Sequence, residues 1–251
     1  MKVKLGQNFL IDSRVAKREV EYADVNSNDV VLEIGPGNGI LTKLLAEKAR
    51  NVIAIELDQK LYKNLKGDMP DNVEMMQGDA LNIDFGILPK FNKIVSNLPF
   101  QISSPITFKL LKYPFEIAVL IYQKEFADRM VAEPYTKDYS RLSVGISYRT
   151  SCEILEVIPK VCFEPQPKIK SCMVKLIPKE IPPFDIENEK FFFKLTENLF
   201  NHRRKKIKTT IKKIYPKITL EELPFLDERV ETLTPKEIGI LSNKILGQKI
   251  K

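Results

Sequence analysis

The run Glu33-Ile34-Gly35-Pro36-Gly37-Asn38-Gly39 constrains this chain more than any other stretch, because it follows the apolar Val30-Val31-Leu32 and precedes Ile40, Leu41, Leu44 and Leu45 at helical spacing. That order predicts strand, glycine turn, helix. Three glycines at alternate positions let the backbone turn tightly with positive φ and let a ligand approach the main chain without meeting a Cβ. A nucleotide-like ligand suits such a turn. The spacing G-x-G-x-G lacks both the third-glycine offset of the dinucleotide fingerprint and the Lys-Ser/Thr pair of a P-loop, so the ligand has to be identified from residues downstream.

Residues 51–58 form an apolar strand ending in acids, the pattern of a buried parallel strand whose carboxyl end meets a ligand crevice. Glu56 lies 17 residues beyond Gly39, where a nucleotide-binding α/β fold places the carboxylate that accepts hydrogen bonds from ribose hydroxyls. A solvated strand-end acid is the plain alternative. A third strand over 73–77 leads to Gly78-Asp79-Ala80-Leu81, where Asp79 either accepts from an adenine amino group or caps a helix. A fourth, 93–96, runs into Asn97-Leu98-Pro99-Phe100, and a fifth spans 117–122. Helices are expected over 40–48, 59–66, 123–131 and 142–150, with Asp12 or Ser13 capping an earlier one and Pro105 opening another. Adding strands near 152–158 and 171–177, the alternation predicts an α/β, doubly wound sheet of seven strands whose last hairpin supplies an antiparallel edge.

Pro178, Pro182 and Pro183 mark a linker that divides the chain into residues 1–178 and a helical 179–251. In the second part Phe191, Leu195, Leu199 and Phe200 read as core. After them Arg203, Arg204, Lys205, Lys206 and Lys208 begin a run of seven cations over 203–213, with no acid from 198 to 220. A charge run is usually a solvated face, but an unbalanced one repels itself and favours an anionic partner. The net charge of +7, from 40 Lys and Arg against 33 Asp and Glu, agrees with that. The lone His202 leaves too little imidazole for triads or histidine metal sites. Cys152, Cys162 and Cys172 are odd in number and ten apart, which fits neither a disulfide framework nor C-x-x-C zinc ligation, so they read as small buried apolar residues. No run reaches the roughly 18 apolar residues of a membrane span, and the start has no apolar h-region. A cytoplasmic protein without metal or membrane contact is expected.

Asn97-Leu98-Pro99-Phe100 decides between ligands, because an amide, a carbonyl stiffened by proline and an aromatic ring at a strand's carboxyl end suit methylation of an exocyclic amine. Adenine N6 is a poor nucleophile, its lone pair delocalised into the ring. The Asn97 side-chain oxygen and the Leu98 carbonyl can accept its two hydrogens and aim the lone pair at a methyl donor. Proline fixes the backbone, and Phe100 offers a stacking face to a flipped base. A chance strand-end turn is the competing view.

With these residues the chain closely resembles the ribosomal RNA adenine N6-dimethyltransferases of the KsgA type, over most of its length. Gly6-Gln7-Asn8-Phe9-Leu10 matches the family's amino-terminal motif, Glu33 to Thr42 its glycine motif, Ile55 to Asp58 and Gly78 to Leu81 its cofactor acids, and Asn97 to Phe100 its catalytic motif. Phe163-x-Pro165-x-Pro167-x-Ile169-x-Ser171 resembles its late signature. The family commonly has Tyr where this chain has Phe100; stacking survives that change, and a phenolic hydroxyl is lost.

The resemblance implies a Rossmann-like seven-stranded S-adenosylmethionine-dependent methyltransferase domain with a small all-helical C-terminal RNA-binding domain. It implies cofactor contacts from Gln7, Asn8, Leu10, Gly35, Gly37, Glu56, Leu57, Asp79, Ala80 and Asn97, and a second stacking face at Phe163. The implied substrate is a pair of adjacent adenosines near the 3′ end of small-subunit ribosomal RNA within a pre-ribosomal particle, modified by a monomer. The alternatives are methylation of large-subunit RNA, as in the erythromycin-resistance enzymes, and a non-enzymatic ribosome-assembly factor on the same fold. An NAD-dependent dehydrogenase stands further off, lacking both G-x-G-x-x-G and a proton donor.

Overall fold

The apolar runs become parallel strands because both of their faces are covered: Val31, Leu32, Ile34, Val52, Ile53, Ala54 and Ile55 are each at most 2% exposed. The structure, a computed structural model, describes residues 7–250, so Gly6 of the amino-terminal motif lies outside the described residues. After β1 (Phe9–Leu10) and α1 (Ser13–Tyr22) the chain alternates through β2 (Val30–Ile34), α2 (Ile40–Ala46), β3 (Asn51–Glu56), α3 (Gln59–Lys66), β4 (Val73–Gln77), β5 (Lys93–Asn97), α4 (Ser103–Leu110) and β6 (Ile117–Gln123). Then come α5 (Lys124–Met130), α6 (Arg141–Arg149), β7 (Thr150–Ile158), β8 (Phe163–Glu164) and β9 (Ser171–Pro178), followed by α7 (Glu189–Asn201), α8 (Ile207–Ile214) and α9 (Pro235–Ile250). Asp12, not Ser13, is the N-cap of α1, its carboxylate accepting from the Arg14 amide at 3.0 Å.

Among the described residues the main sheet has seven strands in the order β4-β3-β2-β5-β6-β9-β7, the Rossmann-like α/β architecture expected. β2 pairs in parallel with β3 and β5, β3 with β4, and β5 with β6, while β9 runs antiparallel to β6. The late strands refine the expectation of a hairpin appended at the edge: β9 inserts beside β6 and leaves β7, earlier in the chain, outermost. Residues 171–176 explain the choice, since Cys172, Met173, Val174 and Leu176 are at most 1% exposed, as an interior strand requires, whereas Val157 of β7 is 45% exposed. β8 stays out of this sheet and pairs antiparallel with β1, Leu10 opposite Phe163.

Backbone contacts divide the chain into two compact units, one formed by residues up to Ala127 with Cys152–Pro178, the other by Asp128–Ser151 with residues from Lys179 onward. The expected cut near 178 marks one boundary, but residues 128–151 go with the C-terminal unit. Their apolar side chains account for this. Tyr139, Val144 and Tyr148 join Phe192, Leu195, Leu199, Ile207 and Leu241 in one core cluster, and the Tyr139 hydroxyl donates to the Leu233 carbonyl at 2.8 Å. Within α7 the buried stripe is Phe192, Leu195, Thr196 and Leu199; Phe191 and Phe200 flank it half-buried. No helix among the described residues is long and apolar enough to cross a membrane.

A buried ion pair fixes the register of the two strands that matter most. Lys93 Nζ lies 3.2 Å from Asp29 Oδ2, with both side chains 4% exposed. The ammonium also donates to the carbonyls of Ala23 and Asp24, and Asn92 Nδ2 donates to the second Asp29 oxygen at 2.7 Å. The same Asn92 accepts from the Val30 amide at 2.9 Å, so the starts of β2 and β5 are tied together. Replacing Asp29 with Ala leaves a buried ammonium unpaired and is expected to cost about 3–5 kcal/mol of unfolding free energy in denaturant titrations followed by circular dichroism. A loss under about 1 kcal/mol would show that the pair contributes little to this frame.

Candidate active site

Strand order reverses between β2 and β5, so the connections leaving them diverge and open a crevice at their carboxyl ends. Gly35, Gly37 and Gly39 follow β2 with φ of 74°, 61° and 79°, a region in which a side chain is strained. All three are also crowded, Gly39 by Met69 and Leu65. A Cβ on Gly35 would lie 3.2 Å from the Pro99 ring, and one on Gly37 would lie 2.9 Å from the Phe9 ring. The glycine turn is thus clasped between the amino-terminal motif and the quartet that ends β5.

Glu56 ends β3 beside this turn, 3% exposed. Its Oε1 accepts from the Asp58 amide at 2.8 Å and its Oε2 from the Gly37 amide at 3.3 Å. Burial pushes its pKa up, and those amides oppose the shift. Asn97 Nδ2 donates to the Asn8 carbonyl at 3.5 Å, which turns the amide oxygen away from Asn8 and leaves it to accept. Asn8 in turn donates through Nδ2 to the Pro165 carbonyl at 2.6 Å, and the Ile11 amide donates to the Cys162 carbonyl at 2.8 Å. These bonds with the β1–β8 pairing fasten the amino-terminal motif to the late signature.

Together these elements enclose one cleft. Of the residues expected to meet a cofactor, Gln7, Asn8, Leu10, Gly35, Gly37, Glu56 and Asn97 line it, as do Leu98, Pro99 and Phe100. Leu57, Asp79 and Ala80 do not. Leu57 stands 48% exposed just past Glu56, and Ala80 is buried. Asp79 follows Gly78, whose amide donates to the Glu56 carbonyl at 2.9 Å, and its carboxylate accepts from the Leu81 amide at 2.8 Å and from Asn82 Nδ2 at 3.0 Å. Asp79 therefore closes a turn over residues 79–82 and caps no helix, with lone pairs still available for another donor.

Phe163 requires a correction. Its residue is 1% exposed, packed in the cluster of Leu10, Val15, Cys162 and Met173, and it does not line the cleft. The ring pairs across from Leu10 and serves as core, which removes the second stacking face expected there. None of the three cysteines is in a disulfide; Cys162 and Cys172 are buried and Cys152 half-buried, and burial pushes the Cys152 thiol up to about 12. Among the described residues no group of three or more His, Cys, Asp or Glu is arranged to hold a metal ion.

Two acids were missed as individuals. Glu33, 1% exposed, lines the floor of the cleft, and its Oε2 has no hydrogen-bond partner among the described residues. Burial raises its pKa to about 8, with the Thr42 hydroxyl opposing and Glu56 adding to the rise. Glu19, fully buried on the core face of α1, has neither oxygen partnered, and burial with the nearby Glu33 raises its pKa well above the usual value. The signal for both was a carboxylate at an apolar position: inside the β2 run for Glu33, and in register with Val15, Ala16 and Val20 for Glu19. A buried acceptor facing the cleft, glycines without room for Cβ atoms and a buried carboxylate at the next strand end together fit a cationic, nucleotide-like ligand.

In the C-terminal unit the basic run is partly balanced in space. Arg203 pairs with Glu231 at 2.7 Å and donates to the carbonyls of Lys137 and Thr136. Lys206 and Lys208 both pair with Asp227, at 3.0 and 2.7 Å, and hold its carboxyl down to about 2. Arg204 and Lys205 are exposed and have no ion-pair partner among the described residues.

A family model described as ribosomal RNA adenine dimethylase matches residues 1–239. A protein of Methanosarcina acetivorans named Probable ribosomal RNA small subunit methyltransferase A is 43% identical over 254 residues, covering 97% of this chain and 93% of that one. Its namesake in Thermococcus sibiricus is 47% identical over 247 residues, covering 93% and 88%. Among solved structures, a dimethyladenosine transferase from Plasmodium falciparum aligns with a TM-score of 0.80 at 27% identity, over 96% of this chain and 98% of that one. The 23S rRNA methyltransferase ErmE aligns with a TM-score of 0.69 at 27% identity, over 95% and 99%.

Because Glu33 ionises near its ordinary value of 4.5 when unfolded but holds its proton to about 8 when folded, the folded chain binds the extra proton between those values. Its contribution is present below that window and is lost as pH rises through it, at up to about 1.4 kcal/mol per pH unit. Glu33→Gln is expected to flatten the fall of Tm across this window in scanning calorimetry. Parallel curves for the two proteins would refute the assignment.

Proposed function

The chain belongs to the ribosomal RNA adenine dimethylase family, and from that premise we propose that it transfers methyl groups from S-adenosylmethionine to N6 of two adjacent adenosines near the 3′ end of small-subunit ribosomal RNA, acting as a cytoplasmic monomer on a pre-ribosomal particle. The observation that supports the reading is the seating of Pro99 on Gly35, which brings Asn97, Leu98 and the glycine turn to one cleft.

Glu56 takes the ribose hydroxyls, since a buried carboxylate with two amide bonds still has lone pairs for two further donors. Gly35 and Gly37 let the ligand approach the main chain, and Gln7, Asn8 and Leu10 close the other side. Leu57 offers exposed apolar surface to the adenine ring, with Asp79 and Ala80 beyond it for the adenine edge. Bound there, the cofactor supplies an electrophilic methyl group on a sulfonium whose positive charge disappears on transfer.

The chain's task is to make a weak nucleophile reactive. Asn97 Oδ1 and the Leu98 carbonyl accept the two N6 hydrogens, drawing the nitrogen toward sp³ and directing its lone pair at the methyl group. Phe100, half-buried at the cleft wall where the turn into α4 begins, stacks on the flipped base. No strong base is required before transfer, because the proton leaves only after N6 has gained its new bond. Arg203, Arg204, Lys205, Lys206 and Lys208 supply the basic surface for RNA, with Arg204 and Lys205 the most available and Arg203 chiefly a clamp.

Small-subunit RNA is favoured over large-subunit RNA because identity reaches 47% with a relative named for the small subunit and only 27% with ErmE. The deciding experiment offers unmethylated small and large subunits with labelled methyl donor. Label is expected in the small-subunit RNA as dimethyladenosine, and label in the large subunit alone would overturn the assignment. Asn97→Ala is expected to lower the methylation rate by about 100-fold or more while calorimetric cofactor affinity stays within a few-fold. Unchanged transfer would remove Asn97 from the mechanism.

A further inference from the structure

Tyr135 has a backbone φ of 69° and is left 80% exposed. An L-residue in the left-handed region is strained, and such strain persists only where the surroundings hold it. Here they do. The Tyr135 amide donates to the Glu231 carbonyl at 2.8 Å, and the Arg203 guanidinium donates to the carbonyls of Thr136 and Lys137 at 2.8 and 2.6 Å. Arg203 Nε also grips the Glu231 carboxylate at 2.7 Å, so the two residues after Tyr135 and the residue that accepts its amide are tied to one side chain. The ring gains no burial from this arrangement. The loop is clamped into a conformation that presents an aromatic face outward.

The charge around it is positive. Lys137, two residues on, is exposed, and Arg204 and Lys205, directly after the clamping Arg203, are exposed without an ion-pair partner among the described residues. Of the nearby acids, Glu231 is already engaged by Arg203, Glu133 is exposed with its carbonyl bound by the Thr136 hydroxyl at 2.7 Å, and Asp138, half-buried, offsets Lys137 beside it, which leaves Arg204 and Lys205 as the unbalanced charge. A fixed aromatic face beside unpaired cations is the arrangement with which proteins hold unpaired nucleotides: the ring stacks on a base and the cations meet phosphates. We propose that Tyr135 is a stacking platform for an unpaired base of the ribosomal RNA substrate, with Arg204 and Lys205 on the flanking phosphates. This rests on the ribosomal RNA reading above.

The test is filter binding of the full-length protein to an unmodified small-subunit rRNA transcript, for the wild type, Tyr135→Phe, Tyr135→Gly and the double variant Arg204→Gln/Lys205→Gln. Tyr135→Gly is expected to weaken binding roughly 5- to 100-fold, while Tyr135→Phe stays within about two-fold. Glycine accepts φ of 69° without strain, so Tyr135→Gly should melt no lower than the wild type and the loss cannot be misfolding. In methyl-transfer assays the effect should fall on KM for RNA and not on kcat. The double variant should lower the slope of log affinity against log salt by about 1.4, at about 0.7 per phosphate contact, whereas Tyr135→Gly should leave it unchanged. Wild-type affinity in Tyr135→Gly overturns the stacking platform, and an unaltered salt slope in the double variant overturns the phosphate contacts. Wild-type protein that binds the transcript yet methylates neither subunit would instead refute the family activity, a separate outcome.

Discussion

The site depends on an absence of atoms. Pro99 and Phe9 approach Gly35 and Gly37 so closely that a Cβ on Gly37 would clash with the Phe9 ring at 2.9 Å and one on Gly35 would press on the Pro99 ring at 3.2 Å. Glycine in such turns is usually credited to the ligand, which must reach the main chain. In this chain the same glycines are first required by the protein itself, because they let the end of β5 and the amino-terminal strand close onto the turn. The Asn97 quartet, the buried carboxylate of Glu56 and the Asn8 bridge all take their positions from that closure.

Below the turn lies an electrostatic arrangement of a different kind. Glu33 and Glu19 are buried without full hydrogen bonding, and the protein keeps them protonated over a range in which exposed carboxyls are charged. A cation entering the cleft favours the ionised form of Glu33, so ligand binding and proton release are coupled at this residue. The Lys93–Asp29 pair at the opposite ends of β2 and β5 shows the alternative solution, a buried charge satisfied by its counter-ion and by carbonyls.

Much of this was legible in the sequence, and the physical reason is that it was carried by local rules. Apolar runs of five to seven residues flanked by turn residues located the parallel strands β2 to β6, and the acids, glycines and Asn97 quartet sat at strand ends where doubly wound sheets bind ligands. What escaped depended on long-range packing. Nothing local says that β9 lies inside β7, that residues 128–151 share a core with α7, or that Phe163 faces inward against Leu10. The basic run looked unbalanced because its counter-ions, Asp227 and Glu231, lie outside the stretch without acids. Glu33 and Glu19 were visible as polar residues in apolar patterns, yet their burial without partners could be seen only in the folded chain.

The bridge from Asn8 to Pro165 joins residues 157 positions apart, and β1 finds its only ladder partner among the described residues in β8. This has a consequence during synthesis. The parallel frame and the glycine turn are complete once β6 has left the ribosome, but the amino-terminal segment that walls the cleft has nothing to pair with until residues 162–165 emerge. A nascent chain therefore carries the turn and the quartet before it has an enclosed pocket. The wall of the cleft is therefore closed only once β8 has been made and fastens β1 against it.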